Sequence, residues 1–142
     1  MNKKKMIILA ILLVAVAGLA LAPVSAATKI YKTDKLYFKQ MADKRHSITP
    51  TKKINKNSEI WGFYIYPKAS SQYSPNTVCV GTSKYMDVEP DYKATKIIIN
   101  FKKKVNGKTY YSTKTFKNSE VSYKPKNNYK PNYCIVYYKK TK

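Results

Sequence analysis

The sequence predicts an all-β fold: a single antiparallel β-sandwich behind an N-terminal export signal, with a small five-stranded Greek-key barrel as the alternative. Three observations carry this expectation. Strand-like runs alternate with turn clusters about every 8–12 residues, the spacing of all-β domains. No segment after residue 27 sustains a helical period. An Asn106-Gly107 pair lies between two alternating runs, and such a pair is a strong short-range hairpin signal because both turn residues need positive φ.

The export signal comes first. Lys3, Lys4 and Lys5 form a positive start, Met6 to Ala22 is an apolar run of 17 residues, and Pro23 breaks it. Val24-Ser25-Ala26 then offers small residues at a cleavage site, the order expected of a secretory signal. An uncleaved anchor is the competing reading, since 17 residues are at the lower limit for spanning a bilayer. No cysteine adjoins the site and no second apolar segment follows, so the mature chain is expected to hold no membrane span. Residues 1–26 are read as the signal and 27–142 as the domain. Of 142 residues, 116 then remain, with 25 basic residues against seven acids and a charge of +18. That length supports one small core.

Each strand is expected on its own pattern. Lys29 to Phe38 carries Ile30, Leu36 and Phe38. Lys39 to Asn57 is polar and contains Pro50, so a long loop is expected, with one helical turn at Gln40–Lys44 as a variant. Glu59 to Tyr66 alternates most clearly: Trp61, Phe63 and Ile65 on one face, Ile60, Tyr64 and Tyr66 on the other. Thr77–Val80 and Lys84–Val88 read as short strands around polar loops. A two-residue turn at Asn106-Gly107 sets Ile97 opposite Phe116 and Phe101 opposite Ser112. Ile97, Ile99, Phe101, Val105, Tyr110 and Phe116 then share one face, and Lys96, Lys102 and Lys104 the other, beside Tyr111, Thr113 and Thr115. Glu120–Tyr123 and Tyr133–Lys139 complete the set, the last with Cys134, Val136 and Tyr138 on one face.

The run Lys96–Phe101, the turn Val105-Asn106-Gly107-Lys108-Thr109-Tyr110 and the closing Asn132–Tyr138 resemble the last strands of immunoglobulin-like repeats in adhesin-like surface proteins of archaea and bacteria. The resemblance covers the C-terminal third. It implies an immunoglobulin-like fold and a cell-surface setting, and it brings no functional residues with it.

The chemistry available is narrow. Cys79 and Cys134 are the only cysteines, and an even count in an exported chain predicts a disulfide. Alternation turns Cys79 away from Val78 and Val80, which is in tension with that pairing. His46 is the only histidine; a basic secreted nuclease would have to use it with Glu59 or Glu120, but a solvated loop histidine is the simpler reading. Asp87, Glu89 and Asp91 alternate like the start of a calcium loop, yet Tyr92 stands where a glycine is needed and Ile98 where a bidentate acid is needed. That excludes the calcium loop. No cofactor or metal is expected.

The charge remains. With 28 Lys+Arg, 27 of them Lys, the field is diffuse, because lysine lacks the planar fork that grips phosphates in pairs. Anionic cell-wall or surface polymers are the expected partners, and no specific nucleic-acid motif is present. Lys102, Lys103 and Lys104 with Tyr111, together with Tyr64 and Tyr66, are the candidate contact residues. The expected function is a non-enzymatic, secreted or envelope-associated module. The alternative is carbohydrate or ligand binding on an aromatic sheet face, centred on Trp61 or on Tyr64 and Tyr66.

Overall fold

A computed structural model describes residues 29–68, 74–83 and 89–141; the signal at 1–26 and the strand expected at Lys84–Val88 lie outside them. Within them the chain is all-β. Eleven strands run β1 (Tyr31–Lys32), β2 (Leu36–Tyr37), β3 (Lys39–Gln40), β4 (His46–Ile48), β5 (Lys52–Asn55), β6 (Ser58–Ile65), β7 (Thr77–Ser83), β8 (Tyr92–Val105), β9 (Lys108–Phe116), β10 (Glu120–Tyr123) and β11 (Lys130–Lys140). They form two antiparallel sheets. One has the order β1-β11-β8-β9, with β2 also on β11; the other has β10-β7-β6-β4-β3, with β5 also on β6. Both sheets feed one core, an arrangement compatible with a β-sandwich. Ile60, Tyr64, Val78 and Val80 come from one sheet and Ile97, Ile99, Cys134 and Val136 from the other. Burying each such side chain contributes about 1.5–3 kcal/mol.

The β8–β9 hairpin has the expected register, with Ile97 opposite Phe116 and Phe101 opposite Ser112. Its turn has φ of 52° at Asn106 and 80° at Gly107. The hairpin outruns the core: Val105 and Tyr110, expected on the apolar face, are exposed.

The first strand is shorter than expected. Thr33 breaks it by using its side chain as a substitute for the ladder: its Oγ1 accepts the Val136 N–H at 3.0 Å. The 39–57 segment is not a loop but contributes β3, β4 and β5. Its core-facing positions are Ser47 and Thr49, both buried, so hydrophobic alternation is silent there. Their hydroxyls are satisfied instead, Ser47 with the Tyr66 hydroxyl at 2.8 Å and Thr49 with the Gly62 carbonyl at 3.4 Å.

The two faces of β6 divide as the alternation predicts, and the structure shows which of them is inner. Ile60, Gly62 and Tyr64 point into the core, while Trp61 and Phe63 lie on the outer face, half-buried. Two glycines explain the choice. A Cβ on Gly62 would come within 3.1 Å of Thr49 Cγ2 and 3.3 Å of the Phe38 ring, so any larger residue there would need both side chains to give way. On the outer face the Trp61 indole lies against Gly81, where a Cβ would meet it at 3.2 Å. A one-residue shift would move every side chain to the other face, so these two contacts pin the strand.

Candidate functional site

Charge is divided between the sheets. The strands of the sheet containing β8, β9 and β11 carry eleven lysines and no acid; those of the other carry three lysines and two glutamates. Only two ion pairs form among the described residues, Lys93 with Glu89 at 2.7 Å and His46 with Asp43 at 2.7 Å. Several lysines of the first sheet lie over tyrosine rings. Lys96 Nζ stands 4.2 Å from the Tyr137 ring centre, Lys35 4.8 Å from that of Tyr133, and Lys103 4.7 Å from that of Tyr129. Such contacts contribute about 0.5–1 kcal/mol at exposed sites.

Two turns bring the basic residues together. One is the β8–β9 turn. The other joins β10 to β11, where Asn127 and Asn128 have φ of 56° and 65° and the Tyr129 N–H donates to the Lys126 carbonyl at 3.1 Å. Asparagine is among the few side chains that tolerate this left-handed backbone. β11 then enters the sheet with Lys130 directly opposite Lys102. Like charges placed directly across a ladder destabilise it.

Between these turns lie two adjoining cavities. One, of ≈ 440 Å³, is lined by Lys102, Lys103, Lys104, Thr109, Tyr111, Asn128 and Lys130. The other, of ≈ 410 Å³, is lined by Lys44, Arg45, Tyr66, Pro67, Lys68, Asn128 and Lys130. Asn128 and Lys130 belong to both, so the two form one groove running from one sheet to the other. Among the described residues, seven basic side chains and two tyrosines line it, and no acid does.

The second half of the groove is held by a carboxylate turn. Asp43 Oδ1 accepts the Arg45 N–H at 2.8 Å and the His46 N–H at 3.3 Å, and Lys44 sits at φ 57°. The bond from the Arg45 amide, then that from the His46 ring, hold the Asp43 carboxyl below its usual pKa. The Arg45 carbonyl in turn accepts the Tyr66 N–H at 2.9 Å. His46 and Asp43 therefore shape the turn that presents Lys44 and Arg45. Neither acid of the nuclease pairing approaches His46: Glu59 lies six residues along β6 from Ile65, the residue paired with His46, roughly 20 Å at strand rise, and Glu120 is two strands from Trp61, itself four residues from Ile65.

The structure places the expected contact residues unequally. Lys102, Lys103, Lys104 and Tyr111 share one cavity and Tyr66 lines the next. Tyr64 is a correction: it is 1% exposed, inside the core. Its hydroxyl donates to Asn76 Oδ1 at 2.7 Å, and Asn76 Nδ2 donates to the Pro125 carbonyl at 2.9 Å. Tyr64 thus ties the core to the segment leading into the Asn127-Asn128 turn. Sequence reasoning missed Lys44, Arg45, Lys68, Asn128 and Lys130. The asparagine pair was legible as a turn, but only the β11–β8 register shows what it faces.

The disulfide is also corrected. Both cysteines are free. Cys134 lies on the inner face of β11, 0% exposed. Cys79 lies on the outer face of β7, opposite Phe63 and beside Ser122. Val78 and Val80 take the inner positions of β7, so Cys79 points away from the sheet that holds Cys134. Burial raises both thiols, Cys134 to about 12. We expect two free thiols in the unfolded protein. In the native protein, a thiol reagent should modify Cys79 slowly and Cys134 not at all. A single mass shift of two hydrogens on reduction would refute this.

Outside the groove, Asp91 accepts from Asn55 Nδ2 at 3.2 Å and Asn57 Nδ2 at 3.0 Å. No cluster of His, Cys, Asp or Glu suited to a metal ion occurs among the described residues. No described helix is long and apolar enough to cross a membrane. No protein-family model, curated protein or solved structure matches this chain.

Proposed function

We propose that this chain is a non-enzymatic, exported, immunoglobulin-like β-sandwich module that attaches to anionic polymers of the cell envelope through the groove at Lys130. The observation that carries the reading is the groove itself: two cavities joined at Asn128 and Lys130, lined among the described residues by seven basic side chains and no acid. A sheet that sets Lys130 against Lys102 without a counter-charge gives up stability, and a bound polyanion restores it. Lysine suits this task. It is a hydrated point charge that follows a flexible chain of anions without demanding a fixed geometry. The N-terminal pattern and the likeness to adhesin-like repeats support the envelope setting. Two antiparallel sheets around one core support the sandwich.

A second reading, stacking of a neutral sugar, is favoured by Trp61 and Phe63. Their rings stack at 6.0 Å on the outer face of the less charged sheet. Salt separates the two. Sedimentation of the purified protein with isolated envelope material should show strong binding at low salt that vanishes near 0.5–1 M, where screening shortens to about 3 Å. Salt-resistant binding moves the site to Trp61. Absence of binding at any salt sinks both.

A further inference from the structure

Among the described residues, β9 forms an edge of the lysine-rich sheet. β9 pairs with β8 and with nothing else among the described residues. In a two-residue hairpin the residues flanking the turn form a hydrogen-bonded pair, and such pairs then alternate along the ladder. With Val105 opposite Lys108, positions 108, 110, 112, 114 and 116 bond to β8. Thr109, Tyr111, Thr113 and Thr115 therefore turn their N–H and C=O groups outward. The register with β8 is unbroken over all nine residues, without a bulge or a proline. Proteins blunt long edges with bulges, prolines, short strands or charged side chains; of these β9 carries only the lysines Lys108 and Lys114, which repel a like-charged strand and admit an acidic one.

A cavity of ≈ 240 Å³ lies under this edge, between β9 and the β10–β11 segment. Phe101 and Tyr123 form its apolar floor, and Ser112, Lys114 and Lys126 supply polar groups. Lys114 is on the inner face, opposite Ile99, with its ammonium 5.3 Å from the Tyr123 ring centre. No acid among the described residues lines the cavity. A second copy of β9 would bring lysines against lysines in a chain already strongly positive, so like charge opposes self-pairing.

We propose that the free edge of β9 takes up an extended acidic segment of a partner polypeptide as an added strand. Main-chain bonds to Thr109, Tyr111, Thr113 and Thr115 supply the attachment, and alternate carboxylates reach Lys114 and Lys126. Strand addition of this kind gets its affinity from the backbone and its selectivity from alternate side chains. The site adjoins the groove at Thr109 and Tyr111, but Lys102, Lys104 and Lys130 are not among the residues lining the cavity under the edge.

The test uses three nine-residue peptides with the purified protein: alternating Thr-Glu, alternating Thr-Lys, and Thr-Glu with alternate backbone nitrogens methylated. Amide hydrogen exchange is the readout. The Thr-Glu peptide should slow exchange at least tenfold at Thr109, Tyr111, Thr113 and Thr115, leaving residues 110, 112 and 114 unchanged. The other two peptides should not. Thr115→Pro, at an outward N–H, should abolish the protection, and Lys114→Gln should weaken binding several-fold in a folded protein. The four-lysine groove variant K102Q/K103Q/K104Q/K130Q should keep the protection, so the two sites can fail separately. Equal protection by the methylated peptide reduces the effect to charge and overturns the proposal. So does protection of no edge amide, or protection that grows with protein concentration in the absence of peptide, which assigns the edge to a second copy.

Discussion

Truncating Tyr64 to alanine should cost about 4 kcal/mol, and replacing it by phenylalanine about 1–2 kcal/mol. The first figure is that of a large buried aromatic removed from a packed core. Tyr64 is 1% exposed and packs beside Tyr66, ring centres 5.1 Å apart. The second figure isolates the hydroxyl. Without it Asn76 loses a 2.7 Å partner while still donating to the Pro125 carbonyl. Against a total stability of about 5–15 kcal/mol, the alanine variant should approach unfolding at physiological temperature. Urea unfolding followed by fluorescence of Trp61, the only tryptophan, measures both; an unchanged midpoint in Tyr64→Ala would remove Tyr64 from the core. The titration has a definite sign. Burial, and secondarily the neighbouring Tyr66, raises the Tyr64 hydroxyl from 10.0 to about 12. The folded state therefore retains a proton that the unfolded state releases above pH 10. The Tyr64 contribution is intact below pH 10 and falls as the pH rises towards 12. Tyr64→Phe should flatten that fall, leaving the parts due to Cys134, Cys79 and Tyr138, which burial also raises and which have the same sign.

How far the sequence discloses this molecule depends on which force fixed each element. The β8–β9 hairpin was readable to the residue, because Asn106-Gly107 sets both turn and register, and Ile97, Ile99 and Phe101 mark the inner face. The 39–57 strands were not readable, because Ser47 and Thr49 occupy inner positions through hydrogen bonds that leave no hydrophobic period. β6 was recognisable as an alternating strand, but both of its faces carry apolar residues, so alternation alone did not show which is inner; the tight approaches at Gly62 and Gly81 accompany the arrangement found. The same logic governs the cysteines. Compartment argued for a bond and alternation argued against it; the alternation, a property of the backbone, prevailed. Of the groove, the Lys102–Lys104 run was visible in one dimension. The Asp43 turn is local, but Lys130 joins the groove only through the β11–β8 register and Arg45 only through its carbonyl's bond from Tyr66, contacts that local sequence does not encode.

Neutralising the centre of the groove should have the larger effect on binding. In K102Q/K103Q/K104Q/K130Q, affinity for long-chain polyphosphate at 0.1 M salt should fall on the order of several hundred-fold. Each lysine contact to a single-stranded polyanion contributes about 0.7 to the slope of log K against log salt, so losing four lowers the slope by about 3. The informative control keeps the same net charge. K39Q/K52Q/K53Q/K56Q removes four exposed lysines from β3, β5 and the β5–β6 turn, away from the groove. A diffuse field would be weakened alike by either set, whereas a groove discriminates between them. If both variants lose affinity equally, attraction is a property of the whole charged surface and the groove reading fails. If only the groove variant loses it, Lys130 and its neighbours are the contact. The groove variant should then also gain stability in the absence of ligand, by a few tenths of a kcal/mol or more, because the uncompensated Lys102–Lys130 pair is gone. A site that loses binding and gains stability on the same substitution is one where the repulsion is retained for the ligand.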